Sequence, residues 1–154
     1  MQIRILAVAK KASRWVAEAE EDFAKRLQPY AKLKIDLVSP VDENIFGAAE
    51  SSTRESQSLL KKIQAEEFVI ACDKDGESFT SEKLAEKICN LRDEAQKICF
   101  VIGGSNGLNS EILARANLRI SFGKITFPHE LFRVVLLEQI YRSFMILAGK
   151  RYHK

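Results

Sequence analysis

The hydrophobic positions of this 154-residue chain fall into short apolar runs separated by stretches with helical spacing. Residues 3–9 and 33–38 read as strands, and residues 14–27 between them carry the spacing of an amphipathic helix. Pro29 stops that helix, since it lacks the N–H that another turn would use. Ser39-Pro40 and a polar stretch lead to a helix near residues 52–64, and a buried strand follows at 67–72. Asp73-Lys74-Asp75-Gly76-Glu77 has the composition of a turn, and Ser81 is placed to cap a helix running to about residue 95. A strand at 98–102, a glycine break at 103–107, a short helix at 110–116 and a strand at 118–122 precede one last helix. Repeated alternation of strand and helix predicts a single α/β domain over residues 1–154, with a mostly parallel sheet flanked by helices.

The last helix, residues 131–148, has apolar side chains on every side, from Leu131 and Phe132 through Ile140 and Phe144 to Leu147. Such a helix must be covered all round. A sheet face covers only part of it, so the remaining stripe is expected to meet a second copy of the chain about a two-fold axis. Glu138, Gln139, Arg142 and Ser143 interrupt the run, which argues against a membrane span.

Composition adds limits rather than a function. Hydrophobic residues make up 46% of the chain, enough for one buried core. The net charge of +3 is too small to predict a nucleic-acid partner by itself, but its placement is uneven. No acidic residue follows Glu138, whereas Arg142, Lys150, Arg151 and Lys154 do. That basic end suits a phosphate-bearing partner, and it equally suits the negative end of a helix dipole. Cys72, Cys89 and Cys99 are odd in number and lack CxxC spacing, which disfavours a disulfide framework or a zinc site. Reduced thiols, and a start at Met1 that reads as a strand rather than a leader, lead to the expectation of a cytoplasmic protein.

Ligands of open parallel sheets bind beyond the carboxyl ends of the strands. Three unusual loops occupy such ends: residues 73–77, the Gly103-Gly104-Ser105-Asn106-Gly107 segment, and Gly123-Lys124-Ile125-Thr126-Phe127-Pro128. Glycines there let a ligand approach the main chain closely. Neither a GxGxxG after the first strand nor a GxxxxGK[ST] is present, so ordinary dinucleotide and P-loop sites are disfavoured.

Four segments carry a more specific signal. They are Phe100-Val101-Ile102-Gly103-Gly104-Ser105-Asn106-Gly107-Leu108, the run from Ile120 to His129, the run from Arg133 to Arg142, and Tyr152-His153-Lys154. Together they resemble the large-subunit ribosomal RNA pseudouridine N3-methyltransferase family, of the SPOUT class. The resemblance spans essentially the whole chain and is most specific from Phe100 onward. It implies a SPOUT-type α/β fold with a C-terminal trefoil knot, a homodimer, and S-adenosylmethionine as cofactor without a metal. It further implies methylation of N3 of a pseudouridine in helix 69 of 23S rRNA, on the assembled 70S ribosome.

Carried over by position, Cys72, Gly104 and residues Gly123, Lys124, Ile125, Thr126, Phe127 and Pro128 would contact the cofactor. For Cys72, Ile125 and Phe127, plain core burial is the competing reading. Ser105-Asn106 stands where many relatives have Pro-Glu, so a role for that carboxylate does not transfer. Tyr152, His153 and Arg142 are the candidate catalytic residues, with Lys154 and His129 as substrate contacts. Aromatic, imidazole and cationic groups suit an extruded base whose carbonyls gain negative charge. Arg142 also sits four residues after Glu138, the favourable order for a helix ion pair, and Arg133 could pair with Glu130. His129 could equally complete the helix start, and Lys10, Lys11 and Arg14 could extend a basic patch or simply be solvated. Rival functions are a ribosome-binding module without catalysis, a SPOUT enzyme acting on another nucleotide or on a ribose oxygen, and a metabolic dinucleotide enzyme.

Overall fold

Five strands, β1 (Gln2–Val8), β2 (Lys32–Val38), β3 (Glu67–Ser78), β4 (Lys97–Ile102) and β5 (Leu118–Ser121), form one sheet in the order β2-β1-β4-β3-β5. Every pairing is parallel. The computed structural model describes residues 1–94 and 96–152. Its helices are α1 (Arg14–Leu27), α2 (Glu43–Phe46), α3 (Ala48–Lys62), α4 (Ser81–Asp93), α5 (Ser110–Arg115) and α6 (His129–Leu147).

Side-chain alternation divides the strands between two cores. Ile3, Ile5, Ile70, Ile98 and Phe100 point to the face covered by α1, α4 and α6. Leu6, Val8, Val69, Cys99 and Val101 point to the other face, with Leu59 of α3 and Ile112 of α5. Both faces are therefore buried, which is why the strands read as nearly continuous apolar runs. Register is set accordingly: Phe100 of β4 lies opposite Ile5 of β1 and Ile70 of β3.

The expected parallel α/β order holds, with three local corrections. Residues 73–77 are not a free turn, because β3 continues through them. Its pairing with β5 slips between Cys72 and Glu77, then resumes at Glu77 opposite Ile120 and Ser78 opposite Ser121. A Cβ on Gly76 would lie 2.7 Å from the backbone of Ile120, so the irregularity depends on glycine. The cap of α4 is Thr80, whose side chain accepts from Lys83 N, while Ser81 donates to Gln139 on α6. A short helix, α2, also precedes α3, capped by Asp42 accepting from Asn44 N. Its four residues are too few for a periodic pattern to announce.

Helix α6 packs between α1 and α4. Leu136, Leu137, Ile140 and Phe144 are fully covered within one chain, whereas Leu131 remains 36% exposed and Val134, Val135, Ile146 and Leu147 are half-buried. Among the described residues no helix is long and apolar enough to cross a membrane.

Candidate active site

The carboxyl ends of β3, β4 and β5 open on one cleft of about 590 Å³. Cys72 and its successors, the 103–108 loop and the segment after β5 form its walls. Of the residues expected at a cofactor, Cys72, Gly104, Gly123, Lys124, Ile125, Thr126 and Phe127 line this cleft, and His129 joins them from the first turn of α6. Pro128 does not reach the lining; it serves as the N-cap position of α6. Core burial fails as an account of Ile125, which is 78% exposed at the cleft mouth. Phe127 is half-buried, its ring 6.0 Å from that of Phe132.

The glycine loop has its shape for reasons visible atom by atom. Gly107 N donates to Gly104 O at 3.0 Å, closing a tight turn in which Gly107 has φ +72°. Buried Gly103 lies so close beneath it that a Cβ would sit 2.7 Å from Gly107 C and O. The loop is also held from behind. Asn106 Nδ2 donates to Glu43 Oε2 at 2.7 Å, and Asn109 N donates to Ser56 Oγ at 3.2 Å. Glu55, only 4% exposed, accepts from Val41 N at 2.8 Å, while its other oxygen lies against Gly104, where any Cβ would collide with it. Asn106 thus fastens the loop to α2. Sequence spacing gave no sign of Glu43, 63 residues before Asn106, or of Glu55.

Charges at the cleft are paired across strands. Arg119 donates twice to Asp73 Oδ2, at 2.5 and 3.1 Å, bridging β5 to the irregular part of β3. Ser121 Oγ donates to Lys74 O at 3.0 Å and accepts from Gly123 N at 3.2 Å, so one hydroxyl ties two cleft loops together. Burial pushes the Cys72 thiol well above its ordinary value, with the Cys99 sulfur adding to the rise. Cys72 therefore stays a neutral thiol and contributes surface rather than nucleophilicity. Among the described residues no three His, Cys, Asp or Glu side chains converge as a metal would require.

Arg142 and Tyr152 do not line the cleft of their own chain. They meet instead at Glu138. Its Oε1 accepts from Arg142 Nε at 3.0 Å and Nη2 at 2.5 Å, and from the Tyr152 hydroxyl at 3.2 Å. The Tyr152 ring stands edge-on to Tyr141 at 5.1 Å, with the Arg142 guanidinium 5.0 Å from its centroid. The Glu138 hydrogen bond raises Arg142 above its ordinary value, and burial followed by the Glu138 charge raises the Tyr152 phenol. Both groups are thereby fixed as cation and as neutral donor. His153 and Lys154 lie outside the described residues.

Arg133 does not pair with Glu130. It is buried on α6 and donates from Nε to Glu20 Oε1 at 2.7 Å, whereas Glu130 accepts from both the backbone and hydroxyl of Ser13, at 2.9 and 2.7 Å. Glu130 thus ties the start of α6 to Ser13, the N-cap of α1, whose hydroxyl turns to that carboxylate instead of capping its own helix.

The family profile described as "Predicted SPOUT methyltransferase" matches residues 1–153. Proteins named ribosomal RNA large subunit methyltransferase H are similar throughout: 44% identical in Clostridium botulinum (strain Kyoto / Type A2) and 42% in Carboxydothermus hydrogenoformans, each alignment covering all of both chains. The chain belongs to this family of SPOUT methyltransferases. Among solved structures, a probable methylase family protein from Haemophilus influenzae Rd KW20 superposes with a TM-score of 0.59 at 18% identity, over 99% of this chain and 70% of that one. At that identity the likeness speaks for the fold, and it agrees with the all-parallel sheet. Two of the segments that carry the family resemblance, residues 100–108 and 120–129, contribute walls of the cleft, and the β3 residues Cys72–Asp75 contribute the third.

Proposed function

We propose that the protein is a cytoplasmic homodimer that uses S-adenosylmethionine to methylate N3 of a pseudouridine in helix 69 of 23S rRNA, with the assembled 70S ribosome as substrate. The observation that carries this reading is the cleft itself, built at adjacent parallel strand ends from the irregular part of β3 and two loops, and lined by most of the residues that the resemblance assigns to the cofactor. The naming of full-length relatives as large-subunit rRNA methyltransferases supports the class of substrate. The trefoil knot implied for the C-terminal part belongs to the same proposal.

The cleft suits the cofactor chemically. Gly107 and Gly123 line it with positive φ and nothing within 4 Å of where a Cβ would stand, leaving backbone accessible to a ligand. Ile102, Leu108, Phe122 and Phe132 offer apolar walls, and Asp75 adds an exposed carboxylate to the lining. When bound, S-adenosylmethionine supplies an electrophilic methyl group on a cationic sulfur. The residues of this chain would then have to align the base, stabilise its carbonyl oxygens and give its N3 proton a way out.

Arg142 suits charge stabilisation as a cation held in place by Glu138, and the Tyr152 ring suits stacking on a base, its one O–H being donated to the same carboxylate. Their absence from the cleft lining of their own chain favours a dimer in which the tail of one protomer, with His153 and Lys154, completes the site of its partner. Half-buried Val134, Val135, Ile146 and Leu147 on α6 provide the apolar surface for that dimer. Cys72, Gly104 and residues 123–127 are assigned to the cofactor, Pro128 to positioning α6, and His129 to the substrate side of the cleft.

The test is transfer of labelled methyl from S-adenosylmethionine to ribosomes lacking the modification, followed by nucleoside mapping, with separated subunits as comparison. Label in N3-methylpseudouridine on whole ribosomes is the expected result. Label in a ribose-methylated nucleoside, or in none, refutes the assignment.

A further inference from the structure

Next to the cleft lies a second cavity, of about 360 Å³, between the β3–β5 edge, the start of α4 and the middle of α6. The two spaces share Ile120, Phe122 and Gly123 as a common wall. The smaller one is bounded by the Phe79 and Phe122 rings, the Ser78 and Thr80 hydroxyls and the Gln139 amide. Its size is near the roughly 300 Å³ lower bound of ligand clefts, suited to a nucleoside rather than a dinucleotide.

Gln139 gives the cavity its chemical character. Its Oε1 accepts from Ser81 Oγ at 2.7 Å, and its Nε2 donates to Glu138 Oε2 at 2.8 Å. An amide carries two donors and two acceptor lone pairs, so these bonds fix the plane of the group and leave one of each. A fixed adjacent donor and acceptor match the alternating carbonyl and N–H pattern of a uracil-type ring. Phe122, held edge-on by Phe132 at 5.1 Å, adds a firm aromatic side to the cavity. The carboxylate that orients Gln139 is also the one that holds Arg142 and Tyr152.

We infer that this cavity is the acceptor-base pocket: it receives an extruded uracil-type base between Phe79 and Phe122, with the Gln139 amide reading the base edge. This rests on the proposed methyl transfer to a pyrimidine, and it adds where the base sits and what reads it. A methyl acceptor must lie in near contact with the donor, so its pocket has to adjoin the cofactor cleft. Ile120, Phe122 and Gly123 border both spaces, so the cavity adjoins the cleft. Flipped bases are held by ring stacking and by hydrogen bonds to their edges, and this lining offers both.

Two variants test it, with cofactor affinity and melting temperature measured alongside turnover. Ser78 is exposed at the rim, so Ser78→Trp should fill the cavity while leaving the fold intact. It should keep cofactor affinity within about twofold and lower kcat/KM on unmodified ribosomes by at least about 100-fold. Gln139→Leu keeps the volume and removes the edge contacts, and should cost roughly 5- to 150-fold, the range set by one lost base-reading pair. Saturation-transfer NMR with free pseudouridine and the cofactor product S-adenosylhomocysteine should show transfer to the base protons in the wild type and lose it in Ser78→Trp. Wild-type turnover by a folded Ser78→Trp protein overturns the assignment, and so does a loss of cofactor affinity in that variant, which would make the cavity part of the cofactor cleft. Failure of the wild-type protein to methylate any ribosome is a separate outcome that removes the proposed function instead.

Discussion

Gly103→Ala adds a single methyl group, and the structure says what it must hit. The new Cβ would lie 2.7 Å from both the carbonyl carbon and oxygen of Gly107 and 3.1 Å from Leu108 Cδ2. Two of these are backbone atoms, so no side-chain rotation relieves the overlap, and the turn closed by Gly107 N and Gly104 O must open or shift. Overpacking of this kind costs about 1–3 kcal/mol. The cost divides between two observables. If the loop stays in place, the strain appears as lost stability, about 2–4 °C in melting temperature per kcal/mol for a domain of this size. If the free protein relaxes by moving the loop, the ligand must restore it and the strain appears as lost affinity, about tenfold per 1.4 kcal/mol. The losses in unfolding free energy and in S-adenosylmethionine binding, by thermal denaturation and titration calorimetry, should therefore sum to about 1–3 kcal/mol. Gly107→Ala is the control. It also meets φ strain, at +72°, but has open space around its Cβ, and it should cost about 1 kcal/mol with no steric term. A Gly103→Ala protein unchanged in both measurements would refute the claim that this loop geometry makes the cofactor wall.

Replacing Glu138 by Gln should release Arg142 and weaken the hold on Tyr152, lowering methyl transfer by about 10- to 100-fold, as expected for loss of charge-assisted hydrogen bonds, while cofactor titrations stay unchanged. Equal losses in both would place Glu138 in the cofactor site instead. The Glu130 tie between α6 and α1 should be acid-sensitive. The Ser13 hydroxyl and then its N–H hold the carboxyl below its ordinary value of roughly 4.3, so its stabilisation is present above that pH and is lost as pH falls through the lowered folded value. The difference in urea midpoint between wild type and Glu130→Gln should accordingly shrink below about pH 4, and a gap independent of pH would contradict this account.

Much of this protein was legible before folding, and the reason differs from element to element. Buried parallel strands such as β4 appear as unbroken apolar runs, and α1 appears with its observed limits because amphipathic spacing and Pro29 are local signals. The glycine-bearing loops after β4 and β5 were legible for a similar reason, since each is contiguous in the chain. What failed was non-local. Asp73-Lys74-Asp75-Gly76-Glu77 has turn chemistry, yet it stays in the sheet because β5, some 45 residues on, pairs with it beyond the slip at Cys72. Ser81 looked like a cap because serine commonly is one; its partner Gln139 lies 58 residues away.

The sequence by itself determined the α/β order, the two loops after β4 and β5 and the chemical groups available, because each depends on neighbours along the chain. Only the tertiary structure decided which groups meet. It turned Arg133 to Glu20 rather than Glu130, fastened the glycine loop through Glu43, set Glu55 against Gly104, and gathered Arg142, Tyr152 and Gln139 on one carboxylate. The Arg133 and Glu138 pairings follow from packing α1, α4 and α6 on one sheet face and the Glu43 and Glu55 contacts from α2 and α3, and buried polar groups take whichever partner that packing delivers.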